Sequence, residues 1–152
     1  MADLRELYQE LIIGHSKRPL NFGKLEGANH QAIGHNPLCG DRVTVYLKMN
    51  SDRVEDLHFE GAGCAISTAS ASMMTEKLKG KTRAEAEEIF ELFHKQVTGT
   101  SDANPEEIGE KLGKLAVFAG VSEFPMRVKC ASLAWHTFHN ALRGDNEVVS
   151  TE

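Results

Sequence analysis

Along one stretch of the chain, apolar residues fall at every second position. Elsewhere they return every three or four, and that contrast sets the expected architecture. Leu4, Leu7, Tyr8 and Leu11 recur with helical spacing, which predicts an amphipathic helix over 3–14 ending near Gly14. Residues 15–28, with Pro19, Gly23 and Gly27, read as a connecting loop, followed by a short strand around His30–His35. Val43, Val45, Leu47 and Met49 then alternate with Arg42, Thr44, Tyr46 and Lys48. Asn50-Ser51-Asp52 supplies turn chemistry, and 54–60 returns with Leu57 and Phe59 on one side. This is an antiparallel hairpin with one buried face.

From Ala65 the small residues of Ala-Ile-Ser-Thr-Ala-Ser-Ala-Ser predict a tightly packed helix to residue 79, stopped by Gly80. Thr82-Arg83-Ala84-Glu85 is a capping box, opening a helix with an apolar stripe of Ala86, Ile89, Phe90, Phe93 and Val97. Asn104 and Pro105 start another helix, weakened by Gly109 and Gly113 and carried towards Gly120 by Leu112, Leu115 and Ala116. A last helix is expected over 131–142, from Ala131, Ala134, Trp135, Phe138, Ala141 and Leu142. Strands first and helices afterwards imply an α+β fold: a small antiparallel sheet of about three strands with helices packed on one face. A single domain over 1–144 and a polar tail over 145–152 are expected.

Composition narrows the function classes. Seventeen Lys and Arg against twenty-two Asp and Glu leave a net charge of −5, which argues against nucleic acid or an anionic membrane as partner. No apolar run approaches the roughly 20 residues needed to span a bilayer, and the N-terminus resembles neither a signal nor a transit peptide. A cytoplasmic protein is expected. Its odd count of three cysteines then speaks against a disulfide framework.

Those cysteines carry the candidate chemistry. Cys39 lies in Asn36-Pro37-Leu38-Cys39-Gly40-Asp41, Cys64 in Gly61-Ala62-Gly63-Cys64-Ala65, and Cys130 in Arg127-Val128-Lys129-Cys130-Ala131. If the strand is already extended at Cys39, then Cys39 and Asp41 point to the side of Val43 and Val45, which faces the helices. Cys64 and Cys130 each precede an apolar helical stripe, so both are expected at helix N-termini, where unpaired N–H groups and the helix dipole favour thiolate. Arg127 and Lys129 would act in the same sense. Three thiolates and the Asp41 carboxylate suit tetrahedral Zn(II), or iron as part of a cluster. Against this, free cysteines are among the most buried residue types, Asp41 after Gly40 also suits a plain turn, and no C-x-x-C pair is present. His136 and His139 read as solvated, and the other five histidines show no convergence. Gly61 and Gly63 do not make a phosphate loop, because no Lys-Ser/Thr follows.

Asn36–Arg42, Phe59–Met74 and Arg127–Trp135, taken in order, resemble the IscU/SufU family of iron–sulfur cluster assembly proteins over about Leu7 to Leu142. The sequence is more similar to the SufU branch. Lys129 stands where the scaffold branch has a His, roughly Glu91–Leu112 matches the SufU-type insertion, and Phe124-Pro125-Met126-Arg127-Val128 replaces the scaffold's chaperone-recognition motif. The resemblance implies a zinc site of Cys39, Asp41, Cys64 and Cys130. It also implies a pyridoxal-phosphate cysteine desulfurase as partner, with iron–sulfur assembly proteins downstream. In the SufU branch a desulfurase histidine displaces one thiolate from zinc, and the freed thiolate, at Cys39, accepts persulfide sulfur; Arg127 would help orient the docked pair. The expected function is zinc-dependent sulfur transfer, as the acceptor of a desulfurase rather than as a stand-alone enzyme. A scaffold holding a transient [2Fe–2S] cluster or iron, or a structural zinc module, are the alternatives.

Overall fold

The computed structural model describes residues 4–37, 40–100, 105–144 and 149–150. Helix α1 (Leu4–Lys17) precedes three antiparallel strands, β1 (His30–Asn36), β2 (Asp41–Asn50) and β3 (Arg53–Ala62). Helices α2 (Ala65–Leu78), α3 (Arg83–Thr98) and α4 (Pro105–Leu112) follow. A 3₁₀ segment (Gly113–Glu123), α5 (Pro125–Arg143) and a two-residue strand β4 (Val149–Ser150) complete the chain. The strand order is β3-β2-β1-β4, and β4 runs parallel to β1 opposite Gly34 and His35. Part of the expected polar tail thus extends the sheet.

The hairpin follows its alternation. Val43, Val45, Leu47 and Met49 are buried, with Leu57 and Phe59 beside them, and Ser51 turns the chain with φ of 55°. A bulge between Lys48 and Met49 shifts the register towards the turn. Helix α5 lies across β1 and β2, and α2 fills the space between α1, α5 and β3. Close approach demands small residues here: a Cβ on Gly34 would overlap the Thr137 hydroxyl on α5. Phe93 of α3 stacks on Trp135 of α5 with ring centroids 4.3 Å apart, and both are fully buried.

Three elements differ from expectation. Helix α1 runs through Gly14 to Lys17. The helix begun at Pro105 gives way at Gly113 to the 3₁₀ segment, because Gly113 adopts φ of 56°. Asn104, the expected cap, lies outside the described residues. Most consequentially, α5 begins at Pro125 rather than Ala131. The capping box is present as read, with Thr82 Oγ1 accepting from Glu85 N–H and Glu85 accepting from Thr82 N–H.

Candidate metal centre

Asp41 opens β2 on the same face as Val43, so its carboxylate enters the protein and is 1% exposed. Cys64 is the N-cap of α2: its Sγ accepts from Ser67 N–H at 3.4 Å and sits at the positive end of the helix dipole, exposed to solvent. Cys130 comes from α5 and is buried. The two sulfurs and a carboxylate oxygen of Asp41 all lie within 4.8 Å of one another. Cys64 N–H donates to Asp41 Oδ1 at 2.9 Å, which holds the carboxylate with Oδ2 3.7 Å from Cys64 Sγ. Gly63 makes room for this, since a Cβ there would stand 2.8 Å from Asp41 Oδ1.

The donor set fits a tetrahedral soft cation. With bonds of about 2.3 Å to sulfur and 2.1 Å to oxygen, the edges of such a tetrahedron are roughly 3.8 Å between sulfurs and 3.6 Å from sulfur to oxygen. The 3.7 Å from Cys64 Sγ to Asp41 Oδ2 matches the sulfur–oxygen edge, and the 4.8 Å that bounds all three separations brings the donor atoms close enough to share one ion. Cys39, the expected fourth ligand and persulfide acceptor, lies outside the described residues, in the connection between β1 and β2.

One expectation about this site is corrected. Cys130 does not open a helix; it lies in the second turn of α5, away from the free N–H groups. Burial pushes its thiol well above the usual range, and the neighbouring Cys64 and Asp41 add to the effect. Of these two cysteines, Cys64 is the one placed at a helix start. Arg127 sits in the exposed first turn of α5, with its guanidinium 4.4 Å from the centroid of the Phe124 ring. It lines a cleft of about 860 Å³ with Ile12, Ile13, Ile66, Val117 and Phe124, and so stands beside the site rather than in it.

The histidines also depart from expectation. His94 of α3 and His136 and His139 of α5 gather round Phe90. His139 stacks on that ring with centroids 4.6 Å apart, and His136 stands edge-on 5.2 Å from His94. Burial, then the charges of His94 and His139, push His136 down to about 4. Sequence reasoning also passed over Gly63 as a partner of Asp41. The signal was its place directly before Cys64, where the chain must clear a side chain arriving from another strand.

Comparison with known proteins agrees with this geometry. Residues 7–131 match the family described as NifU-like N terminal domain. The chain belongs to this family. Among its NifU-like relatives is the iron–sulfur cluster assembly scaffold protein IscU of Streptococcus pyogenes serotype M1, 38% identical over 94% of this chain and 87% of that protein. The zinc-dependent sulfurtransferase SufU of Bacillus subtilis is 40% identical, covering 88% of each. A crystal structure of a candidate SUF-system scaffold protein from Fervidobacterium islandicum AW-1 superposes with a TM-score of 0.81 at 38% identity, covering 92% of this chain and 99% of that one. The NifU-like assignment bears out the expected family and the α+β fold with its antiparallel sheet. No helix among the described residues is long and apolar enough to cross a membrane.

Proposed function

We propose that this chain is a zinc-dependent sulfur carrier of iron–sulfur cluster assembly, receiving sulfur at Cys39 from the persulfide of a pyridoxal-phosphate cysteine desulfurase. The observation that carries the reading is the meeting of Asp41, Cys64 and Cys130 from three separate elements around one point. Bound there with Cys39, zinc would keep the sulfurs as thiolates at neutral pH. The Cys39 thiolate attacks the outer sulfur of the donor's persulfide. A new S–S bond forms at Cys39 as the donor's S–S bond breaks, and the donor cysteine leaves as a thiolate, so no external oxidant or reductant is consumed. Arg127, on the exposed turn preceding Cys130, would help orient the docked partner by its charge. Lys129, where the resembling scaffold branch has a His, disfavours that branch's ligand set.

Desulfurase turnover with and without the protein tests this. The expected result is stimulation by wild type that is lost in Cys39→Ala; equal stimulation by that variant would refute the acceptor role. The relatives named as scaffolds support a second reading, in which the same ligands hold a [2Fe–2S] cluster. Anaerobic reconstitution yielding a stable, transferable brown species at stoichiometric iron would favour it.

A further inference from the structure

The two sulfurs of the centre ride on different helices. Cys64 begins α2 and Cys130 lies early in α5, so their separation depends on how one helix lies along the other. One buried hydroxyl ties the two together. Ser70 Oγ–H donates to the Ala131 carbonyl at 2.5 Å, and the same oxygen accepts the Trp135 indole N–H at 3.0 Å. Ser70 and Ala131 are 0% exposed and Trp135 is 1% exposed. Ala131 directly follows Cys130, and Ser70 lies less than two helical turns beyond Cys64. The bond therefore joins the backbone beside one ligand to the helix that carries the other.

We propose that Ser70 is a positioning residue for the metal centre: its hydroxyl fixes the register of α2 on α5, and through it the distance between the Cys64 and Cys130 sulfurs. The inference rests on Asp41, Cys64 and Cys130 being a metal centre. A helix interior has no need of this bond, since the Ala131 carbonyl already lies within the ladder of α5 and accepts from Ser70 with its second lone pair. Other polar contacts of α2 face elsewhere: Ser72 reaches His15 and the backbone of Leu20, and Thr75 reaches Asn21. Among the described residues, Ser70 is the residue of α2 whose side chain bonds the backbone next to Cys130.

The rival explanation is that Ser70 merely satisfies the buried indole. Trp135→Phe removes that donor and leaves the hydroxyl bonded to Ala131. Adding Ser70→Ala in the Trp135→Phe background then deletes the hydroxyl without orphaning any donor. Zinc affinity by competition with a chromophoric chelator, and the visible bands of the Co(II) form, are the readouts. Trp135→Phe is expected to bind zinc within about twofold of wild type. The double variant is expected to lose roughly tenfold, as for other groups that orient ligands from outside, with shifted Co(II) bands. A double variant matching Trp135→Phe in affinity and spectrum would overturn the role of Ser70. Failure of wild type itself to bind zinc would instead overturn the metal centre on which the inference rests.

Discussion

Two clusters of ligand-type side chains border α5, and they are built in opposite ways. At its start, Asp41, Cys64 and Cys130 arrive from a strand, a helix cap and a helix interior, and aim their donor atoms at one point. Further along, His94, His136 and His139 press the faces and edges of their rings against Phe90 and each other. The first arrangement crowds like charges and like acceptors, a cost that a cation offsets. The second treats imidazoles as aromatic wedges and disfavours the charged form of His136. Ligand-type residues in proximity do not make a binding site; convergence of their lone pairs does.

That contrast is open to direct attack. Cys130→Ser is expected to cut zinc affinity by at least about a hundredfold, because tetrahedral thiolate sites gain about 10–16 kcal/mol shared among four ligands. Equilibrium dialysis of the purified variant checks it. Stripping the metal from wild type should lower the melting temperature and leave the far-UV circular dichroism unchanged, since the core of α3, α5 and the sheet is built without the ion. The histidine seam should respond to acid instead. Its His136, held down to about 4 against an ordinary value near 6.5, stays neutral when the unfolded chain takes up a proton. Stability is therefore full above about pH 6.5 and declines as the pH falls towards 4. Between pH 7 and pH 5 the loss should be about 2 kcal/mol by urea denaturation, and His136→Phe should remove most of that slope. The smallest effect is expected from Gly63→Ala, whose Cβ would meet Asp41 Oδ1 at 2.8 Å. Displacing that carboxylate should weaken zinc about tenfold while leaving urea stability of the apo protein within about 1 kcal/mol.

The inward turn of Asp41 was legible from strand parity alone, because residues two apart on β2 share a face and Val43 and Val45 declare which face is buried. The placement of Cys64 was equally legible, since a glycine-rich approach to a run of small residues announces a helix start. Cys130 was misplaced for a physical reason. The first turn of α5, Pro125 to Arg127, is exposed, so it carries no apolar periodicity, and the stripe begins only where the helix meets the core. Pro125 was the available signal, being suited to the first position of a helix. The histidine seam was invisible because it joins α3 to α5 across a long stretch of chain, and spacing within one helix says nothing about what packs on it. Cys39 lies outside the described residues, and its acceptor role is a proposal that the Cys39→Ala variant tests.

Gly34 holds a lesson for anyone who catalogues variants of this chain. It touches no ligand and offers no functional group, yet any larger side chain there would collide with Thr137 and prise the last helix off the sheet. The damage would reach Cys130 through the tilt of that helix. A map ranking positions only by their nearness to sulfur would score Gly34 as tolerant, whereas selection for cluster supply would score it among the least forgiving.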